Sequence, residues 1–267
     1  MTTGVLIFAF NNEQIDYLAM ANWSAKNIRR HLDLPVAVVT DMIVPAHYQF
    51  EQVIPAPTPV SSYSRKFDDL EKSVTWFNGN RVDAYALSPW AKTLVLDADY
   101  VVATDQLRNI LNIDQDFMAH MSAYDVSHHP GFEEHNWFGQ YRMPMWWATV
   151  MMFRRSTHAE LIFNCMQMIR DNWQHYKNLY SIGRTTYRND FALSIALGIV
   201  NGHTLNHVDI PWQLATVTHN QRLTQLDTDQ YRVDFITQDK KPKWTKLQQD
   251  FHAMGKAQLG DIIANNS

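Results

Sequence analysis

The sequence predicts an α/β fold, a mixed, mainly parallel sheet flanked by helices, and three observations carry that expectation. Gly4 to Phe10 (GVLIFAF) is a continuous apolar run closed by Asn11-Asn12, the pattern of a strand buried on both faces. Ile15, Leu18, Ala21, Ala25, Ile28 and Leu32 then recur every three or four residues, one apolar helical stripe with Arg29, Arg30 and His31 near its negative end. Pro35 to Val39 (PVAVV) resumes the buried-strand pattern and ends at Thr40-Asp41. Strand, crossover helix and strand make the βαβ unit from which parallel sheets grow. No Pro/Gly/Ser-rich linker or charge block divides the 267 residues, so one domain over 1–267 is expected.

Composition narrows the function. A formal charge of −4 excludes a global basic field of the kind that gathers nucleic acid or anionic membrane, although it permits a local basic cleft. One cysteine, Cys165, excludes an internal disulfide, and no apolar run approaches the roughly 18 residues of a membrane span. With no signal-like start, a cytoplasmic protein is the expectation. Nine Trp, eleven Tyr and thirteen Phe suffice to build a core and still line a cleft with rings.

Further along, Pro45 to Pro59 is punctuated by proline and reads as irregular. Ser61 to Asp69 is a polar loop or helix start whose Arg65 and Lys66 suit either a solvated surface or a basic lip. Asp68 to Phe77 reads as a helix that delivers Arg81 through the Asn78-Gly79-Asn80 turn. Thr93 to Leu96 is a buried strand ending on Asp97 and Asp99, with Tyr100 to Val102 resuming the apolar pattern. Two carboxylates outside the carboxyl end of a sheet strand suit a hard cation, though a lone D-x-D is common in plain turns.

Phe117 to Tyr124 reads as another strand, and residues 128 to 147 as a long loop. In that loop His128, His129, Glu133, Glu134 and His135 match no zinc spacing. Its rings Trp137, Phe138, Tyr141, Trp146 and Trp147 suggest a wall facing a ligand or partner, or a lid, against a loop packed down on itself. Ala148 to Phe153 is the next strand, Thr157-x-x-Glu160 a capping box for a helix, and Ala192 to Val200 a buried helix with Asp190 near its start. Leu205 to Ile210 and Tyr231 to Ile236 read as late strands, and Lys240 to Trp244 as a basic, aromatic loop.

Arg81, Tyr85, Leu87, Trp90 and Leu96-Asp97-Ala98-Asp99 together form an ungapped pattern: a basic residue, two aromatics at intervals, then a hydrophobic strand ending Leu-Asp-x-Asp. Asp105 and Leu107 echo the turn that follows. This segment resembles the signature of GT-A fold glycosyltransferases, in particular the retaining, glycogenin-like family, whose usual lysine at the first position is here arginine. The resemblance implies a single GT-A (Rossmann-like) domain, with 1–105 as the nucleotide-binding half and 106–267 as the acceptor-binding half and the C-terminal metal and diphosphate element. It implies Mn²⁺ or Mg²⁺ on Asp97 and Asp99, and a nucleotide-sugar donor, UDP-linked, whose nucleoside lies by Phe10, Asn11, Asn12 and Asp41 and whose diphosphate meets Arg81 and Asp97.

Three later elements extend it. Asp250 to Lys256 resembles the family's closing element, which makes His252 the third metal ligand and Lys256 a diphosphate contact. Asn189-Asp190 resembles an element whose acid faces the reacting sugar, without the glutamine that normally follows. Ala148 is the only match to the family's F-N-[SA]-G element, since Trp146-Trp147-Ala148-Thr149 replaces it. Lys240 to Trp244 also resembles the family's K-P-W tail, in inverted order.

The expected function is therefore metal-dependent sugar transfer. A nucleotidyltransferase of similar fold is disfavoured because Phe10-Asn11-Asn12-Glu13 stands where a Gly-rich basic loop is usual. A non-catalytic nucleotide-sugar-binding module is the other alternative. The acceptor stays open among protein, lipid, glycan, small molecule and DNA, the last including modified bases of the kind that phage glycosyltransferases decorate.

Overall fold

In the computed structural model, residues 2–57, 63–66, 73–77, 79–183, 185–204 and 208–265 are described, with backbone alone at 63–66 and 73–76. A six-stranded central sheet runs in the order Gln52–Pro55, Val36–Thr40, Thr3–Phe8, Lys92–Leu96, Trp147–Arg154, Phe117–His120. The first four are mutually parallel, and Trp147–Arg154 is antiparallel to both its neighbours. This is the expected mixed, mainly parallel α/β sheet, and Lys92–Leu96 is central to it because its side chains are apolar on both faces. Val5, Ile7, Val38, Leu94, Val95 and Met151 are all fully buried there.

A second, four-stranded sheet crosses the carboxyl side of this layer in the order Tyr100–Val101, Phe251–Ala253, Leu214–Val217, Ala123–Asp125. The expected strand over 117–124 is thus two short strands serving different sheets. A three-stranded antiparallel sheet, Arg222–Asp227, Gln230–Ile236 and Pro242–Leu247, packs Leu223, Tyr231, Val233 and Leu247 inward. The basic, aromatic stretch expected as a loop at 240–244 is the start of its last strand, where Trp244 pairs with Asp234.

Helix starts fall one to four residues from where the sequence puts them. Asp16, not Asn12, caps Tyr17–Leu32 by accepting from the Ala19 N–H, because the Asn12 side chain is already taken by the N–H groups of Gln14 and Ile15. Ser156 caps Thr157–Asp171 by accepting from the Ala159 N–H, so Thr157 is the first helical residue and not the cap. Asn189–Val200 is buried from Phe191 to Leu197, as its apolar run requires, and Ile199 in its last turn is exposed. No helix among the described residues is long and apolar enough to cross a membrane.

Two further expectations change. Ser73–Trp76, read as helical, is a strand paired with Tyr63–Lys66, while 67–72 and the 61–62 end of the polar loop lie outside the described residues. The late strand expected at 205–210 is reduced to one bridge, Asp209 with Ala119, and 205–207 lie outside the described residues. The loop at 128–147 holds a 3₁₀ helix, Pro130–Asn136, and a two-stranded ribbon, Trp137–Phe138 with Met143–Pro144.

Candidate functional site

The central strand Lys92–Leu96 ends where the Asp97 N–H donates to the Thr149 carbonyl and the Tyr100 N–H donates back to the Asp97 carbonyl. That turn aims Asp97 and Asp99 off the carboxyl end of the sheet. The late strand Phe251–Ala253 is stitched alongside by the Ala253 N–H donating to the Asp99 carbonyl, with His252 in register with Tyr100. One ligand atom from each of Asp97, Asp99 and His252 lies within 4.8 Å of the other two. They are the only such group of three or more His, Cys, Asp or Glu found among the described residues.

Asp99 is 3 % exposed. Burial alone would raise its carboxyl, but Lys256 Nζ in direct contact and His252 Nε2 at 3.4 Å hold it well below the usual carboxylate range. Burial works against the Lys256 ammonium, and Asp99 raises it instead. Lys256 is the first residue of the last helix, Lys256–Asn265, whose positive end also favours anions.

The donor set fits a small divalent cation. Two carboxylate oxygens and an imidazole nitrogen suit Mn²⁺ or Mg²⁺, and ligands about 2.1 Å from an ion lie about 3 to 4 Å apart, so small side-chain rotations would close the set. His252 Nδ1 is buried without a hydrogen-bond partner among the described residues, so no second group fixes that ring as metal-binding imidazoles usually require.

The opposite wall is built through an irregularity in the strand Trp147–Arg154, whose register against Phe117–His120 shifts between Trp147 and Met151. The Ala148 backbone is given to side chains: its N–H donates to Asp190 Oδ1 at 3.0 Å and its carbonyl accepts from Arg81 at 2.7 Å. Such shifts re-aim groups beside functional clefts. Asp190 Oδ2 accepts from Arg188 at 2.7 Å, and Tyr187 donates to Asn189 Oδ1 at 3.1 Å. Arg81 sits in the 3₁₀ helix Gly79–Asp83, is 2 % exposed, and pairs with Asp97. Burial pulls its guanidinium down to about 10, opposed by Asp190 and Asp99, so it stays charged near neutrality.

These two walls enclose a cavity of about 510 Å³. Of the residues singled out in the sequence, Phe10, Asn12, Arg81, Asp97, Asp99, Asn189, Asp190, His252 and Lys256 line it. Asn11, Asp41 and Ala148 do not. Asn11 is committed to Asp16 and the Leu18 N–H, Asp41 is exposed beyond the second strand, and Ala148 acts through its backbone. Sequence reasoning missed Tyr17, Thr186, Tyr187, Arg188 and His219, which also line the cavity and belong to no motif. Of the loop rings, only Trp147 reaches the cavity. Phe138 and Trp146 are core residues, Phe138 packing on Phe191 with ring centroids 5.4 Å apart, while Trp137 and Tyr141 are exposed and outside it. The five therefore do not form one wall.

No protein-family model matches the chain, and no curated protein does. Among solved structures it is similar to the galactosyltransferase LgtC in complex with donor and acceptor sugar analogues, at 14 % identity and TM-score 0.49 over 74 % of this chain and 70 % of that one. It is similar to the glycosyltransferase GlyE of Streptococcus pneumoniae TIGR4, at 14 % identity and TM-score 0.44 over 74 % of this chain but 43 % of that one. It is also similar to core-mannan synthase A of Aspergillus fumigatus in its Mn/GDP form, at 10 % identity and TM-score 0.42 over 74 % of this chain and 70 % of that one.

Proposed function

We propose that this chain is a metal-dependent glycosyltransferase that takes its sugar from a nucleotide-sugar, UDP-linked, with Mn²⁺ or Mg²⁺ on Asp97, Asp99 and His252. The observation that carries the reading is the meeting of those three residues, far apart in sequence, on the wall of a 510 Å³ cavity whose other wall holds Asp190. A cavity of that size is within the usual range for small-molecule sites. A divalent cation bound there would neutralise charge as the bond from the anomeric carbon to phosphate breaks.

The chain's own residues take the remaining tasks. Lys256, released from Asp99, meets the diphosphate at the positive end of the last helix. Arg81 acts one step back, fixing Asp97 and the Ala148 carbonyl. Asp190 and Asn189 face the donor sugar, with Asp190 oriented by the Ala148 N–H and Arg188. Phe10 and Asn12 lie where the nucleoside enters. Retention at the anomeric carbon is part of the proposal and rests on the motif resemblance, which also supports one domain over 1–267. The acceptor is open among glycan, protein, lipid, small molecule and DNA.

The test is release of free nucleotide from a panel of nucleotide-sugars with Mn²⁺. Release is expected with a UDP-sugar, and chelator or Asp99→Asn should abolish it; full release under either condition would overturn the reading. A non-catalytic nucleotide-sugar-binding module is a second reading, favoured by Lys256 already neutralising a metal ligand. Metal-dependent donor binding with no release in the presence of any acceptor class would select it.

A further inference from the structure

The net charge of −4 is unevenly spread: residues 240–246, KKPKWTK, hold four lysines and no acid. They lead into and through the last strand of the three-stranded sheet, whose inner side is the buried set Leu223, Tyr231, Val233 and Leu247. Its outer side is set by the register. Arg222, Asp234 and Trp244 lie abreast across the three strands, and Thr224, Arg232 and Lys246 lie abreast beside them. Trp244 is 57 % exposed there, and the Arg232 guanidinium stands 5.0 Å from its ring centroid, held by two bonds to Asp234 Oδ1 at 2.6 and 2.9 Å. The face is fixed to the body of the protein, because Gln258 in the last helix accepts from the Leu223 N–H and donates to the Gln221 carbonyl.

The open charges and the ring select one kind of partner. Arg232 is committed to Asp234 and Lys241 to Asp239, whereas Arg222, Lys240, Lys243 and Lys246 stand in no ion pair among the described residues. Such a group of cations attracts a polyanion, and phosphates release counterions on meeting it. With Arg232 on one side of the indole, the other side is open, and an open ring among cations is a platform for an unpaired base. Trp244 and Lys246 are roughly 7 Å apart along the strand, near enough for one nucleotide to meet both with its base and its phosphate. Duplex is a poor fit, since the major groove admits a helix or a two-stranded ribbon and this face is three strands wide. A lipid surface is a poor fit too, because the pair Arg232 and Asp234 in the middle of the face would have to leave water.

We propose that the outer face of this sheet binds single-stranded nucleic acid, with Trp244 stacking on a base and Arg222, Lys246 and the neighbouring lysines meeting phosphates. The proposal does not rest on the sugar-transfer reading, because binding here needs neither donor nor metal.

Fluorescence anisotropy with a labelled single-stranded DNA of mixed sequence and about 15 nucleotides, without metal or nucleotide-sugar, tests it. Binding is expected, and between about 50 and about 200 mM salt it should weaken about twentyfold if about three phosphates are met. Trp244→Ala should weaken it about tenfold and Trp244→Phe should keep most of it. Melting temperature should stay within about 2 °C in both, since the position is exposed. Lys246→Ala should lower the salt slope by about 0.7; should Trp244→Ala fail to fold, an unchanged slope in Lys246→Ala decides against the proposal. Duplex of the same length, and vesicles of phosphatidylserine and phosphatidylcholine, should bind more weakly than the single strand. No anisotropy change at about 50 mM salt, tighter binding of duplex or vesicles, or an affinity indifferent to Trp244→Ala would each overturn the proposal.

Discussion

On the proposed reading Lys256 and a divalent cation compete for one carboxylate, so Lys256→Ala is expected to move two affinities in opposite directions. Asp99 is 3 % exposed, and its contact with Lys256 is a charge-assisted hydrogen bond from a side chain that is 32 % exposed. Such bonds contribute about 1.5 to 3 kcal/mol, and the partial exposure of Lys256 puts this one at the lower end. Cation binding in the native protein must break it and then place two positive groups close together. In Lys256→Ala neither cost remains, so Mn²⁺ should bind about tenfold more tightly, the equivalent of about 1.4 kcal/mol. The proposed diphosphate contact of Lys256 is lost as well, so UDP should bind the Mn²⁺-loaded variant about tenfold more weakly. Isothermal titration with Mn²⁺ alone, and then with UDP at saturating Mn²⁺, reads both. Weaker Mn²⁺ binding in the variant would refute the competition and make Lys256 an organiser of the site. The same contact sets acid stability. Asp99 is depressed when folded, so its contribution is present above the unfolded value and lost as pH falls through the folded one. Removing Lys256 raises the folded value toward the unfolded one, so the fall in stability below about pH 4 should flatten in pH-dependent denaturation.

Other substitutions test other parts. Arg81→Ala breaks a buried pair and orphans the Ala148 carbonyl, so a loss of about 3 kcal/mol, or roughly 6 to 12 °C in melting temperature, is expected; a shift under about 1 °C would mean that Arg81 does not hold Asp97. His120 is depressed to about 4 by burial, so the unfolded chain binds a proton that the folded one does not between pH 6.5 and 4. Stability should fall by up to about 3 kcal/mol across that window, and a slope unchanged in His120→Gln would show another group responsible. Trp146→Ala should destabilise by about 3 to 5 kcal/mol and Tyr141→Ala, 69 % exposed, by less than about 0.5, measured by urea denaturation. Equal effects would place Trp146 outside the core.

The features that were legible are those set by local pattern. Gly4 to Phe10 and Thr93 to Leu96 are apolar without alternation, which only strands covered on both faces tolerate, and they emerged adjacent and parallel. Asp97 and Asp99 followed from where that strand stops. Helix caps were less legible because Asn12 and Asp16, or Ser156 and Thr157, are alternative caps by residue type, and which backbone N–H each meets depends on the path of the loop. The rings at 137–147 misled because aromatic content says nothing of direction. Trp146 is drawn inward by its N–H bond to Ser194 and Trp147 by its indole bond to Asn136, neither of which a linear pattern contains. Tyr17, Arg188 and His219 were invisible for the same reason, reaching the cavity through tertiary placement alone.

Arg81 shows how motif and structure divide the information. Its charge and its spacing from Asp97 are in the sequence, but its task is set by the register shift at Trp147 to Met151. A regular ladder would commit the Ala148 N–H and carbonyl to the neighbouring strand. Released from it, they receive Asp190 on one side and Arg81 on the other, and Arg81 reaches on to Asp97. The two acidic walls of the cavity are thereby tied through a single residue's backbone, with Arg81 and Arg188 balancing the charge at either end. A small side chain suits the position, because Ala148 is 1 % exposed within the buried core while its N–H and carbonyl are both given to side chains. A displacement of Asp190 must therefore be felt at Asp97, and a double-mutant cycle between Arg81→Ala and Asp190→Asn should show non-additivity of about 0.5 kcal/mol or more in Mn²⁺ affinity. Strict additivity would mean that the Ala148 backbone transmits nothing and that the two walls act independently.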